Sequence, residues 1–214
     1  MFLYFGGCSY VTGVDLENRE VERFSTLVSN HYNADHLNNA NSGESNDVIT
    51  RKAFEFIKDN KPDYAIINMT HCERMELLNP RTNTTYKFHA QHPKCKPFYE
   101  NYYNHYVGSL NYFKNRYLLE SEFRRKGIPL ILMQINRVSL KNNGNNIYRE
   151  MCDGELPTIS TPKFSPEKYE SMLGEQLRNM RYYYHKHDKK IHGHFNSAGH
   201  RKIADFIISK IDSY

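Results

Sequence analysis

Ser9 is the first residue of the chain that is a candidate for a catalytic nucleophile. It follows an apolar run at residues 2–5 and then two glycines, a pattern that predicts a buried strand ending in a tight turn. Open α/β folds bind their ligands at the edge of the sheet where such strands end. A serine hydroxyl at that edge could attack a carbonyl if a base removed its proton, and it could also simply cap the next helix.

A candidate base comes from the other end of the chain, at His194. The apolar spacing of Ile203 and Ile207 predicts a C-terminal helix, and Asn196 or Ser197 is a suitable cap for its first turn. His194 then lies in the loop just before this helix. The helix would fix the backbone of the loop, while the side chain of His194 could reach across a sheet edge. An imidazole in that place could take the proton of a serine hydroxyl.

The elements that must position these two residues alternate along the chain. Strands are predicted at residues 2–5, 36–40, 64–68 and 128–133, and helices at 21–32, from 46 to before 61, at 101–126 and from 197 onwards. This alternation predicts a parallel sheet with right-handed crossovers and helices on both faces. A chain of 214 residues usually forms one domain, so we expect a single domain over residues 1–214 with irregular insertions near 79–99 and 138–166.

Composition restricts the class of protein and its partners. Apolar residues make up 39% of the chain and aromatic residues 14%, which argues against disorder. The net charge of +5 is spread along the chain, so a nucleic-acid partner is not expected. Four cysteines without a C-x-x-C pair predict neither a disulfide framework nor a cysteine zinc site. The chain also has no Gly-rich phosphate loop, and we expect no cofactor and no bound metal. Without a long apolar run or leader pattern, we expect a cytoplasmic protein with no membrane partner.

Four segments, in their order and spacing, resemble the sequence blocks of the SGNH (GDSL-like) hydrolase family. They are residues 7–9, 39–46, 66–71 and 194–200, so the resemblance covers nearly the whole chain. It implies a three-layer α/β/α sandwich around a flavodoxin-like parallel sheet of about five strands, and the activity of an esterase. The abundance of Asn, Lys and Tyr is similar to that of virus-encoded members of the family.

The resemblance also implies a role for each block. Ser9 would be the nucleophile and His194 the base. Gly43 would donate its backbone N–H to the oxyanion that forms when the serine attacks. The side-chain donor of the third block falls on Thr70, with Asn68 two residues earlier as the alternative.

The chain departs from the family pattern next to both proposed catalytic residues. Cys8 stands where the family has an aspartate, and its thiol is a rival nucleophile. The acid that the family carries three residues before the histidine would be Ile191, which cannot orient an imidazole. We therefore expect His192 to complete the site, with Asp188 or a backbone carbonyl as alternatives.

Two further residues are expected to bind the substrate. Arg74 follows the third block closely enough to reach a ligand anion, and Asn46 ends the second block. Arg51 lies near the second block in the same way. A surface ion pair is the alternative role for either arginine.

These residues predict a serine hydrolase that removes an acyl group, most simply acetyl, from a small polar or carbohydrate-like substrate. The alternative is a non-catalytic protein of the same fold that binds a polar or phosphorylated ligand at the same sheet edge, suggested by the missing acid and the basic charge. A tail rich in histidine, including His185, His187 and His200, offers ligands for a transition metal as a further alternative, although its spacings match no established zinc pattern. The sequence indicates no oligomeric state.

Overall fold

The computed structural model describes residues 1–79, 81–82, 84–88, 93–135, 151–153, 184–187 and 190–214. Its strands are β1 (Phe2–Gly6), β2 (Asp35–Asn38), β3 (Tyr64–Met69), β4 (Met75–Asn79), β5 (Thr84–Phe88), β6 (Leu130–Gln134), β7 (Tyr184–His187) and β8 (Lys190–Phe195). Its α-helices are α1 (Ser9–Thr12), α2 (Arg19–Glu22), α3 (Phe24–His31), α4 (Asn46–Asp59), α5 (Lys96–Asn101), α6 (His105–Arg125) and α7 (Ser197–Ile211).

A parallel sheet forms the centre of the fold, with its strands in the order β2-β1-β3-β6. Leu3 in β1 is paired with His36 on one side and Tyr64 on the other, and Ile66 in β3 is paired with Ile131 in β6. The carboxyl ends of β1 and β3 are therefore neighbours at one edge. This sheet confirms the predicted parallel α/β architecture, with four strands in the described residues against about five expected.

Alternate side chains of the strands pack against helices on opposite faces, which produces three layers. On one face the strands pack against α3 and α7; the core residues there include Leu3, Phe5, Ile66, Met133, Phe24, Val28, Ile203 and Ile207. On the other face they pack against α4 and α6; the core residues there include Tyr4, Ala65, Ile67, Leu132, Ile49, Ile57, Tyr112 and Phe123. Strands buried on both faces explain why β1, β3 and β6 read as continuous apolar runs in the sequence.

Three of the longer helices begin at a side-chain cap supplied by the sequence. Ser45, Asn104 and Asn196 each accept a hydrogen bond from the backbone N–H three residues further along, at the starts of α4, α6 and α7. Each cap satisfies a donor that the first helical turn leaves free. The cap at Asn196 fixes the start of α7 and with it the position of His194, two residues earlier.

The longest helix, α6, packs against the sheet through Tyr112, Leu119 and Phe123, which are buried. Arg116 on the same helix is also buried, and it forms an ion pair of 2.7 Å with Glu120. Among the described residues, no helix is both long enough and apolar enough to cross a membrane.

Two antiparallel hairpins lie outside the central sheet. β4 pairs with β5 directly after the β3 edge, and β7 pairs with β8 before the last helix. The described part of segment 79–99 thus contains a strand and helix α5, where the sequence predicted irregular structure. Segment 138–166 lies outside the described residues except for 151–153.

Candidate active site

Ser9 follows a turn in which the backbone passes very close to its neighbours. β1 ends at Gly6, and Gly7 has φ of 153°. A Cβ atom on Gly7 would lie 2.4 Å from Cγ2 of Val11 and 3.0 Å from the backbone oxygen of Asn68, so only glycine fits. After this turn, Ser9 is the first residue of α1, and 6% of its surface is exposed to solvent.

His194 reaches Ser9 from the end of β8. The next residue, Phe195, is fully buried in the core and anchors this part of the strand. Nε2 of His194 lies 2.9 Å from Oγ of Ser9, which is hydrogen-bonding distance. The ring centroids of Tyr10 and His194 lie 5.0 Å apart, with the two ring planes tilted by 48°. The structure thus brings together the two residues that the sequence singled out as nucleophile and base.

Asp15 holds the other nitrogen of the imidazole. Its Oδ2 lies 3.1 Å from Nδ1 of His194. Asp15 and the preceding Gly13 both have φ of 73°, so the turn after α1 bends back toward β8. A carboxylate at Nδ1 favours the tautomer with hydrogen on that atom, which leaves the lone pair of Nε2 facing the serine hydroxyl.

Asp15 was not predicted from the sequence, because the orienting group was expected close to His194 in the chain. The residues expected there were His192 and, as an alternative, Asp188; the side chain of His192 and all of Asp188 lie outside the described residues. The signal for Asp15 was a carboxylate in a glycine-containing turn six residues after the candidate nucleophile. That signal becomes specific only once the fold places the turn next to β8.

Gly43 lies in a turn that faces open space. Its φ is 76°, and a Cβ atom there would have no neighbour within 4 Å. The next residue, Glu44, fixes the turn. Glu44 is 2% exposed, and its carboxylate forms an ion pair of 3.0 Å with Nζ of Lys52. Lys52 also donates a hydrogen bond to the backbone oxygen of Asn39. A backbone N–H in such a fixed, open turn is free to meet a ligand.

Asn46 joins this turn to the end of β3. Its Oδ1 accepts a hydrogen bond of 2.8 Å from the backbone N–H of Thr70, and its Nδ2 donates one of 3.2 Å to the backbone oxygen of Thr70. Asn46 is 2% exposed. The amide that the sequence analysis expected to bind substrate is therefore used to fix Thr70 relative to the Gly43 turn.

Thr70 and Asn68 occupy different positions at this edge. β3 continues through Met69, so Thr70 follows the strand while Asn68 lies inside it, next to Gly7. Thr70 is 3% exposed, and its Oγ1 accepts a hydrogen bond of 2.9 Å from Nη1 of Arg74. Asn68 is fully buried, and its side-chain amide has no hydrogen-bond partner among the described residues. Such an unpaired buried amide is costly.

The two arginines singled out in the sequence differ in their partners. Arg51 forms ion pairs of 3.1 Å with Glu55 and 2.8 Å with Glu76, and its side chain is 47% exposed. It therefore takes the role of a surface ion-pair residue. Arg74 is partly buried and donates to Thr70, at the same edge as Ser9.

His71 and Cys72 follow Thr70 at the end of β3, and both face Glu73. Nδ1 of His71 lies 3.6 Å from Oε1 of Glu73, and Sγ of Cys72 lies 3.8 Å from Oε2. Burial raises the pKa of the Cys72 thiol to about 11, so it is protonated at neutral pH. Within the described ranges, no group of three or more His, Cys, Asp or Glu side chains is arranged to hold a metal ion.

Comparison with known proteins rests on structure, since no protein-family model and no curated protein matches the sequence. The psychrotrophic esterase EstA from a Pseudoalteromonas species is similar over 99% of this chain and 97% of its own, with a TM-score of 0.53 and 11% identity. The acetyl xylan esterase AlAXEase is similar over 99% and 100%, with a TM-score of 0.54 and 11% identity.

A two-domain esterase active on acetylated mannans is similar over all of this chain, with a TM-score of 0.54 and 16% identity. This chain covers 48% of that protein and so corresponds to about half of it. Similarity at such low identity establishes architecture, and function has to be argued from the site. The chain therefore has the α/β fold of these esterases.

Proposed function

We propose that this protein is a serine esterase that removes an acyl group, most simply acetyl, from a small polar or carbohydrate-like substrate. The observation that carries the proposal is the chain of contacts from Ser9 through His194 to Asp15, at 2.9 and 3.1 Å. Nucleophile, base and orienting acid in hydrogen-bonding reach of one another form the arrangement that activates a serine hydroxyl. The position of Ser9 directly after β1 supports the proposal, because open α/β sheets bind ligands at the edge where their strands end.

The reaction would proceed in two halves. In the first, Oγ of Ser9 attacks the ester carbonyl carbon while Nε2 of His194 takes the hydroxyl proton, and the same nitrogen then gives that proton to the departing alcohol. In the second, His194 activates a water that attacks the acyl-serine and releases the acid. Asp15 holds the ring and stabilises the imidazolium that forms in each half, without itself taking the proton.

Negative charge on the carbonyl oxygen requires fixed donors. We assign this role to the backbone N–H groups of Ser9 and Gly43 and to the hydroxyl of Thr70. Because Oγ1 of Thr70 accepts from Arg74, its own hydrogen is directed to another acceptor, and Asn46 fixes its backbone. Thr70 is preferred to Asn68, because Asn68 lies inside β3.

The alternative of a non-catalytic binding protein rested on the absence of an acid near His194 in the sequence. The position of Asp15 removes that reason, because a carboxylate now lies at Nδ1. The names of two structural neighbours, an acetyl xylan esterase and an esterase active on acetylated mannans, favour an acetylated carbohydrate as the substrate class. The substrate would be a small molecule, and the chemistry needs no metal or cofactor.

Acetate release tests this function directly. We expect the wild-type protein to release acetate from acetylated saccharides and to hydrolyse 4-nitrophenyl acetate faster than the octanoate, because the proposed acyl group is small. Both activities should disappear together in the His194→Ala variant. Turnover that survives loss of His194, or a folded wild type that hydrolyses none of these esters, would contradict the proposal.

Thr70→Val tests the side-chain donor of the oxyanion site. The change keeps the shape and removes the hydroxyl, so we expect kcat to fall about 10²- to 10³-fold, as for other oxyanion donors. Thr70→Ser, which retains the hydroxyl, should stay within roughly tenfold of wild type. Steady-state kinetics on 4-nitrophenyl acetate measures both, with thermal unfolding as the control for folding. Equal losses in the two variants would assign Thr70 a packing role only.

A further inference from the structure

Arg74 differs from Arg23, which is also partly buried, and from Arg116, which is buried. Arg23 pairs with Glu20 at 2.6 Å, and Arg116 pairs with Glu120 at 2.7 Å. Arg74 is also partly buried, yet no carboxylate in the described part of the chain forms an ion pair with it. A guanidinium that is taken partly out of water without a counter-charge is a site that favours an anion.

The nearest carboxylate along the chain is engaged elsewhere. Glu73 faces His71 at 3.6 Å and Cys72 at 3.8 Å. The hydrogen bond from Arg74 to Thr70 uses one N–H of Nη1 and is made to a neutral hydroxyl. The guanidinium has five N–H groups in a planar fork, so several remain to bind a second, charged acceptor.

Arg74 also lies beside the proposed catalytic residues. It contacts Thr70, which follows β3 at the edge shared with Ser9. Burial raises the pKa of the Tyr10 phenol, and the positive charge of Arg74 acts in the opposite direction on that pKa. The ring of Tyr10 is in turn 5.0 Å from the imidazole of His194. An anionic group bound by Arg74 would therefore lie at the same edge of the sheet as an ester at Ser9.

We propose that Arg74 binds a carboxylate or phosphate group of the substrate, so that the preferred substrate is an acetyl ester of an anionic, carbohydrate-like alcohol. This inference rests on the proposed function. An acetyl group has no further ionisable atom, so the charge must belong to the alcohol part. Planar, two-pronged binding of either anion by a guanidinium is strong and directional, and would align the ester with the nucleophile.

Three phenyl acetates that differ in one substituent test the inference. They are 4-acetoxybenzamide, which is neutral, 4-acetoxybenzoate, which carries a carboxylate, and 4-acetoxyphenyl phosphate. Each rate is divided by the rate of hydroxide-catalysed hydrolysis of the same ester, which corrects for the leaving group. We expect the corrected kcat/KM of at least one anionic ester to exceed that of the neutral ester by about tenfold or more, and the two anions distinguish carboxylate from phosphate recognition. The preference should shrink as salt rises.

Variants of Arg74 separate anion binding from support of Thr70. Arg74→Gln keeps an N–H donor for Thr70 and removes the charge, so it should lose the anionic preference, while Arg74→Lys should retain part of it. Arg51→Gln is the matched control: it removes a surface charge that is already paired, and should keep the full preference. Thermal unfolding of each variant establishes that it is folded.

The possible results distinguish this inference from the proposed function. Turnover of the neutral ester without any anionic preference, or equal loss of all three activities in Arg74→Gln, would overturn the anion site and leave the esterase intact. Loss of the preference in Arg74→Gln but not in Arg51→Gln would support it. If the folded wild type hydrolyses none of the three esters, the proposed function fails and the inference fails with it.

Discussion

Ser9→Ala is expected to lower kcat for 4-nitrophenyl acetate by about 10⁴-fold or more, because it removes the hydroxyl that lies 2.9 Å from Nε2 of His194. The loss should be of this size because nucleophile, base and acid act as a unit, so that removal of the nucleophile cancels the contribution of all three. Thermal unfolding should be nearly unchanged, since the substitution removes one atom from a turn that is fixed by Gly7.

Cys8→Ala is the matched control for that experiment. Cys8 is the adjacent residue and a rival nucleophile, but it is fully buried in the core cluster beneath α1. We expect its replacement to leave kcat within a few-fold of wild type and to lower stability modestly. If Cys8→Ala abolished turnover and Ser9→Ala did not, the thiol would be the nucleophile and the assignment of Ser9 would be wrong.

Asp15→Asn is expected to have the second-largest effect, a fall in kcat of about 10³- to 10⁴-fold with little change in KM. The amide can accept a hydrogen bond from Nδ1, as the carboxylate does, but it carries no charge to stabilise the imidazolium, and it can also donate and so favour the wrong tautomer. Asp15 is partly exposed, with its side chain at 28%, so the folded state should tolerate the change. Steady-state kinetics with 4-nitrophenyl acetate measures the effect.

Two variants near His194 serve as controls for Asp15. Asp188→Asn and His192→Ala remove the residues that the sequence offered as orienting groups. We expect both to keep most of the activity, because the carboxylate of Asp15 already occupies Nδ1 at 3.1 Å. A large loss in either control, together with near-normal turnover in Asp15→Asn, would place the orienting group next to His194 instead.

The sheet and the two ends of the candidate site could be predicted because their signals are local. A short apolar run followed by glycines indicates a buried strand and its turn, and a capped amphipathic helix fixes the residue before it. These signals placed Ser9 and His194, and the fold then brought them together. β5 was missed although Thr, Tyr and Phe in residues 84–88 favour a strand, because the flanking Pro and His residues suggested a loop.

Asp15 and Asn46 could not be assigned from the sequence because their roles depend on tertiary contacts. Asp15 lies 179 residues from His194, and it reaches the imidazole from a turn with positive φ angles at Gly13 and Asp15. Asn46 was expected to bind substrate, but helix α4 packs so that both polar atoms of its amide bond to Thr70. A polar residue at a helix start looks the same in sequence whether it faces solvent or a neighbouring strand end.

The most direct measurement is the intact mass of the protein after reaction with a fluorophosphonate, for wild type, Ser9→Ala and His194→Ala. An activated serine displaces fluoride and keeps the phosphonyl group, so we expect one adduct per wild-type chain, none on Ser9→Ala and very slow labelling of His194→Ala. An adduct that persists on Ser9→Ala would contradict an activated Ser9. The absence of an adduct on folded wild type would also contradict it, and would favour a protein that binds a ligand at this edge without hydrolysing it.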